Sequence, residues 1–254
     1  MKKIASIFIM GIVFMSCSSD KNETITNLSA TLNFTHNWDG ANVSNSDFNT
    51  INFTNANGEE LSIEKLRYLI SNITFQKSNG DDIKIDAYVL VDVTNNLNMS
   101  FSPSVEIPTG TYSNVSFTFG FDNEDNYQNY PDLNSASWNV PSMLGGGYHF
   151  MQLEGKFIDN VAAETGYAYH TIRAVDNSGA ELVFQDTFFT VNLGPVTLSK
   201  DSTFEIKMNI AEWFKNPNQW DLNILGSMLM PNFNAQVMMH ANGQNVFRLG
   251  EIIQ

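Results

Sequence analysis

Along most of the chain hydrophobic and polar positions alternate with a period of two, interrupted by Asn, Gly and Pro. In "ATLNFTHNW" Leu32, Phe34, His36 and Trp38 alternate with Asn33, Thr35 and Asn37. In "GTYSNVSFTFGFD" Val115, Phe117, Phe119 and Phe121 alternate with polar partners, and "IKIDAYVLVDV" is a longer, more apolar run. The segments "YHFMQLEGKFI", "GYAYHTIRAV", "AELVFQDTFFTV" and "STFEIKMNI" continue the theme. Aromatic and β-branched runs separated by turn residues predict strands packed face to face. Two segments depart from this pattern. "SIEKLRYLISNI" has room for a helical turn or two before Ile73 and Phe75 lead a strand, and "IAEWFKNP" reads as a short helix stopped ahead of Pro217. The expectation is an all-β chain: one antiparallel β-sandwich with one or two short helices, spanning residues 30–254.

The first sixteen residues change the picture of where this sandwich resides. Lys2 and Lys3 precede an apolar run from Ile4 to Phe14, and Ser16 and Cys17 follow. That order is an export signal, not part of the fold. Cys17, the single cysteine, stands where a bacterial lipoprotein carries its diacyl anchor, although Met15 replaces the usual small residue. Residues 17–29 read as the lipidated cysteine and a polar tether. The expected location is the bacterial cell envelope, on a membrane reached through the N-terminal lipid. Loss of residues 1–16 removes two lysines and no acid, so eleven basic residues face 27 acidic ones, a net charge of −16 against −14 for the whole chain. Such a surface offers nothing to nucleic acid. One cysteine allows no internal disulfide, so stability rests on a core that a chain 43% hydrophobic can supply.

Chemistry is concentrated in the histidines and methionines. By strand parity His36 shares a face with Phe34 and Trp38, His149 with Met151 and Leu153, His170 with Ala168 and Ile172, and His240 with Met238 and Gln236. An imidazole on an apolar face needs a polar partner or a metal, and either role fits each of the four. Met228, Met230, Met238 and Met239 lie close to His240 in the sequence. Imidazole with thioether and no thiolate suits copper, Cu(I) above all, although methionine also fills cores. In "FDNEDNYQNYPDLN" Asp122 and Asp125 stand among other oxygen donors and are candidates for calcium, or simply a solvated acidic loop. No nucleophile elbow, phosphate loop or His-Glu-x-x-His helix is present, and no enzymatic activity is expected.

Three segments in order, "LRYLISNITFQKSNGD", "IPTGTYSNVSFTFGFD" and "GGGYHFMQLEGKF", followed by "WFKNPNQWDL" and "NGQNVFRLG", resemble the MbnP-like proteins. The resemblance spans most of residues 30–250. It implies an exported β-sandwich that binds copper through histidine together with a tryptophan oxidised to kynurenine by a di-haem partner of the MauG type. The family's histidine after an aromatic strand matches His170 in "YAYHTIRA". Where the family often carries Met-x-Trp-x-Trp ahead of its Gly-Tyr pair, this chain reads "MLGGGY": Met143 matches, and glycine replaces tryptophan. Trp138 and Trp38 are then the candidates for oxidation, neither aligned with the motif. The expected ligands are His149 and His170, with His149 filling the place of the lost ring, and His36, His240 and nearby methionines behind them. A metal-free envelope binding or assembly module with structural histidines is the alternative. A glycan reader using Trp213, Trp220 and Tyr127 is a third.

Overall fold

The computed structural model describes residues 26–254, so the signal at 1–16, Cys17 and most of the tether lie outside the described residues. Nine strands carry the architecture: β1 (Ala30–Trp38), β2 (Lys65–Gln76), β3 (Ile83–Asp92), β4 (Gly110–Phe119), β5 (Met151–Ile158), β6 (Glu164–Thr171), β7 (Phe189–Leu198), β8 (Ser202–Asn209) and β9 (Phe247–Ile253). They form two sheets. The larger runs β7-β4-β2-β5 and on to short strands at Glu60–Leu61 and Phe53–Thr54, with β6 on β5 and β3 on β2. The smaller runs β9-β8-β1 and ends at Ala41–Val43, with Ser100–Phe101 also on β1. Alternation on β1 buries Ala30, Leu32, Phe34 and His36, as its pattern predicts. Those residues meet Phe204, Ile206 and Met208 of β8 and the inner face of the larger sheet, including Tyr68, Phe117 and Leu153, in one continuous core.

The expected all-β sandwich is what the chain forms, and three details differ. One pair departs from the antiparallel pattern: β1 and β8 run parallel in register from Ala30–Ser202 to Asn37–Asn209, with β2 to β7 in the crossover between them. "SIEKLRYLISNI" contains no helical turn. It belongs to the twelve-residue β2, a central strand whose two edges are occupied by β3 on one side and by β4 and β5 end to end on the other. Two of the expected strands are each broken, "GYAYHTIRAV" into β6 and Ala174–Asp176, and "AELVFQDTFFTV" into Val183–Gln185 and β7. Among the described residues there are two α-helices, α1 (Pro131–Ser135) and α2 (Phe233–Gly243). The short helix expected before Pro217 is a 3-10 helix, Ile210–Phe214.

Candidate metal centre

The triple glycine closes a hairpin. Its arms are Trp138–Val140 and Gly147–His149: Asn139 bridges Tyr148, the Val140 amide donates to the Gly147 carbonyl at 2.9 Å, and the His149 amide donates to the Trp138 carbonyl at 2.9 Å. The tip is a 3-10 turn, Ser142–Leu144, followed by Gly145, Gly146 and Gly147 at φ of 91°, 71° and 78°. Side chains rarely adopt that left-handed region. A Cβ on Gly145 would strike the Phe184 ring and one on Gly147 the side chain of Asn126, so both positions require glycine on two counts. The result is local and consequential. Trp138 and His149 are eleven residues apart in sequence and face each other, ring centroids 5.7 Å apart.

His149 itself is buried. Its Nδ1 lies 3.0 Å from the Trp138 carbonyl oxygen, which can only accept, so Nδ1 carries the proton and Nε2 a bare lone pair. That Nε2 faces the Sδ of Met230 at 3.3 Å. A thioether has no hydrogen to donate, so two electron-pair donors meet with no proton between them. Burial lowers the His149 pKa to about 4, with the neighbouring His170 and Arg67 reinforcing the shift against the Trp138 hydrogen bond, so the ring is neutral at physiological pH.

His170 completes the group, its ring 5.3 Å from that of His149 and nearly perpendicular to it. Strand parity placed His149 with Met151 and Leu153, but Phe150 and Met151 are consecutive and both belong to the core, so alternation breaks there and His149 lies against His170 instead. The face that His170 shares is polar, not apolar. Its Nε2–H donates to Glu154 Oε1 at 2.8 Å, and the same oxygen accepts from Lys65 Nζ at 2.8 Å. These bonds, the His170 one first, lower the Glu154 pKa to about 2. With Nε2 donating to a carboxylate, Nδ1 is the ring nitrogen left for a metal, the carboxylate–histidine arrangement that orients and strengthens a metal ligand. Beside it Arg67 donates to Gln152 Oε1 at 2.6 Å and to the Ala136 carbonyl, and its guanidinium lies 5.0 Å from the centroid of the Trp138 ring.

Gln236 of α2 anchors the third side. Its amide donates to the carbonyls of His170 at 2.8 Å and Leu229 at 3.0 Å and accepts from the Ile172 amide at 2.9 Å, tying the Met230 loop to the end of β6. The sequence marked Met230 only within the methionine group beside His240, not with His149, and Arg67, Glu154 and Gln236 were not singled out as site residues. Their signals are weak there: Met230 is one of eleven methionines, and the others act only through register across β2, β5 and α2.

The remaining candidates lie apart from this group. His36 is buried and its Nε2 pairs with the Tyr68 hydroxyl at 3.0 Å. His240 is on helix α2, not on a strand, and stacks on Phe189. Trp38 packs on Phe53 and Phe214, and its indole donates to the Thr54 carbonyl. No contact joins any of the three to His149 or His170 among the described residues. Asp122 and Asp125 do converge, each accepting from the Asn72 amide at 3.2 and 3.1 Å. Among the described residues no three His, Cys, Asp or Glu are grouped to hold a metal, at that loop or elsewhere. Trp213 and Trp220 are wholly buried and cannot stack on a sugar; Tyr127 is exposed.

The candidate donors at the hairpin are therefore the His149 Nε2, the imidazole of His170 and the Met230 thioether, with Trp138 fully buried beside them and its indole N–H without a partner. Soft sulfur and imidazole without carboxylate or thiolate fit a soft cation, Cu(I) before Zn²⁺ or Ca²⁺. No curated protein sequence matches the chain significantly. Among solved structures it is similar to MbnP from Methylosinus trichosporium, with a TM-score of 0.56 and 12% identity, over 89% of this chain and 99% of that one. The family model MbnP matches residues 27–239, most of the length described, and the chain belongs to the MbnP family.

Proposed function

We propose that this protein is an exported, lipid-anchored, non-catalytic copper-binding member of its family, holding Cu(I) through His149, His170 and Met230, with Trp138 as the tryptophan placed for oxidation. Membership of the MbnP family supports a copper-related, methanobactin-associated role. The observation that carries the ligand assignment is the contact of a proton-free His149 Nε2 with the Met230 sulfur. Copper supplies a soft cation to that pair; everything else is done by the chain. The Trp138 carbonyl fixes the His149 tautomer, Glu154 orients His170, and Gln236 holds the loop that carries Met230. Trp138 sits against the imidazole, with Arg67 against its ring. This is the tryptophan we assign to a di-haem partner of the MauG type. Trp38, on the other sheet, has no such neighbour.

Competition titration of the purified protein with a Cu(I) chelator tests the assignment. His149→Ala, His170→Ala and Met230→Leu are each expected to weaken Cu(I) binding at least tenfold, about 1.4 kcal/mol or more. His36→Gln and His240→Gln should leave it unchanged. Wild-type affinity in all three site variants would remove these residues as ligands.

A further inference from the structure

A second concavity, distinct from the histidine group, opens where β2, β3 and the acidic loop meet. It has a volume of about 410 Å³ and is lined by the rings of Tyr88, Phe101, Phe121 and Tyr130 together with the carboxylates of Asp86 and Asp125. That is within the usual range for small-ligand sites, about 300–1,000 Å³. The rings form a corner. Tyr88 stands at 76° to Phe121 and 67° to Tyr130, with centroids 5.4 and 4.7 Å away, and Tyr130 stacks on Phe121 at 4.7 Å. The Tyr88 hydroxyl donates to Asp132 at 2.6 Å, which fixes the ring. Neither Asp86 nor Asp125 forms an ion pair with a lysine, arginine or histidine among the described residues. The adjoining groove adds Asp82, Asp122 and Glu124 and a single cation, Lys84.

We infer that this pocket binds a small organic cation, an alkylated or quaternary ammonium, with its charge between Asp86 and Asp125 and its alkyl groups against the faces of Tyr88 and Tyr130. Ring faces attract a cation through their quadrupole, and two carboxylates supply the charge. The negative field reaches the rings: burial first, then the charges of Asp125 and Asp86, push the Tyr130 hydroxyl up to about 12. A hard metal ion needs six to eight oxygen ligands, about the number calcium takes, and the aromatic lining offers it few. A neutral sugar would gain nothing from the charge of the two carboxylates.

Tetramethylammonium, titrated while the ring resonances of Tyr88 and Tyr130 are followed by NMR on the mature protein, is the probe. Saturable shifts with a Kd of about 1 mM or tighter are expected. Neopentyl alcohol, its uncharged counterpart, should bind at least tenfold more weakly. Asp86→Asn, an exposed and conservative change, should weaken tetramethylammonium about threefold to tenfold, as should Tyr130→Leu if folded. Choline and acetyl-lysine methylamide as parallel ligands separate a free quaternary amine from a lysine side chain of a protein. Absence of saturation to about 50 mM, weaker than any specific site of this size, would overturn the inference. So would equal binding of neopentyl alcohol, displacement by potassium as effective as by choline, or an Asp86→Asn variant identical to wild type. Copper binding does not enter the readout, so this site and the histidine site stand or fall separately.

Discussion

His149 shows how far a single residue was legible. The sequence marked it, through the glycines before it and the methionines around it, and assigned it with His170 to one site. Parity could not place it, because the break at Phe150 and Met151 is invisible in a pattern that is apolar throughout. Its partner Met230, 81 residues away, was marked only among the methionines beside His240, with nothing local to join it to His149. The buried histidines have a measurable consequence. His36 and His149 are both lowered from 6.5 to about 4 by burial, so the unfolded chain binds more protons than the folded one between those pH values. Stability should be fully present above pH 6.5 and fall as pH drops toward 4, by up to about 3 kcal/mol for each histidine. Glu154, depressed from 4.5 to about 2, adds a second loss below pH 4.5. Urea unfolding of the metal-free protein at pH 7, 6, 5 and 4 reads this directly; a midpoint unchanged between pH 7 and 5 would contradict the burial of both rings.

At the level of elements, the alternating edge and sandwich strands were read correctly because one face of each is buried. The start of β2 was misread because Leu66, Leu69, Ile70 and Ile73 match helical spacing, and the buried run Tyr68–Ser71 breaks the alternation that would have marked a strand. Helix α2 was missed for the opposite reason. Its buried positions, Ala235, Gln236, Met239, Asn242 and Gly243, recur at helical spacing but are mostly small or amide residues. Gln236 and Asn242 are buried for their hydrogen bonds, to the His170 and Leu229 carbonyls in one case and the Trp213 and Asn218 carbonyls in the other. Hydropathy does not register that kind of burial. The glycine turn yields an ordered prediction. Gly146→Ala meets open space and bears only the left-handed backbone, a cost of about 1 kcal/mol. Gly145→Ala and Gly147→Ala add contacts with Phe184 and Asn126 and should cost more, about 2–3 kcal/mol. Equal midpoints for the three variants in chemical denaturation would mean that the turn repacks freely.

For the whole molecule, the order of segments along the chain carried the family resemblance, and the two-sheet fold follows from it. What the sequence could not supply was convergence, since Trp138, His149, His170, Met230 and Gln236 come from a hairpin, a strand, a loop and a helix. The proposed envelope location rests on the signal-like residues 1–16 and Cys17. If the proposed anchor is right, replacing Cys17 by Ala should shift the protein from the membrane to the soluble fraction and abolish its labelling by fatty acid, because two acyl chains suffice for stable attachment. Unchanged fractionation would remove the anchor without touching the metal site. The central claim is that this site takes copper on imidazole and thioether together, and X-ray absorption at the copper edge of the Cu(I)-loaded mature protein examines it most directly. One equivalent of copper with imidazole nitrogen and a single sulfur scatterer, the sulfur lost in Met230→Leu, is the predicted result. Copper that is not retained, or that is bound with no sulfur in its shell, would contradict it.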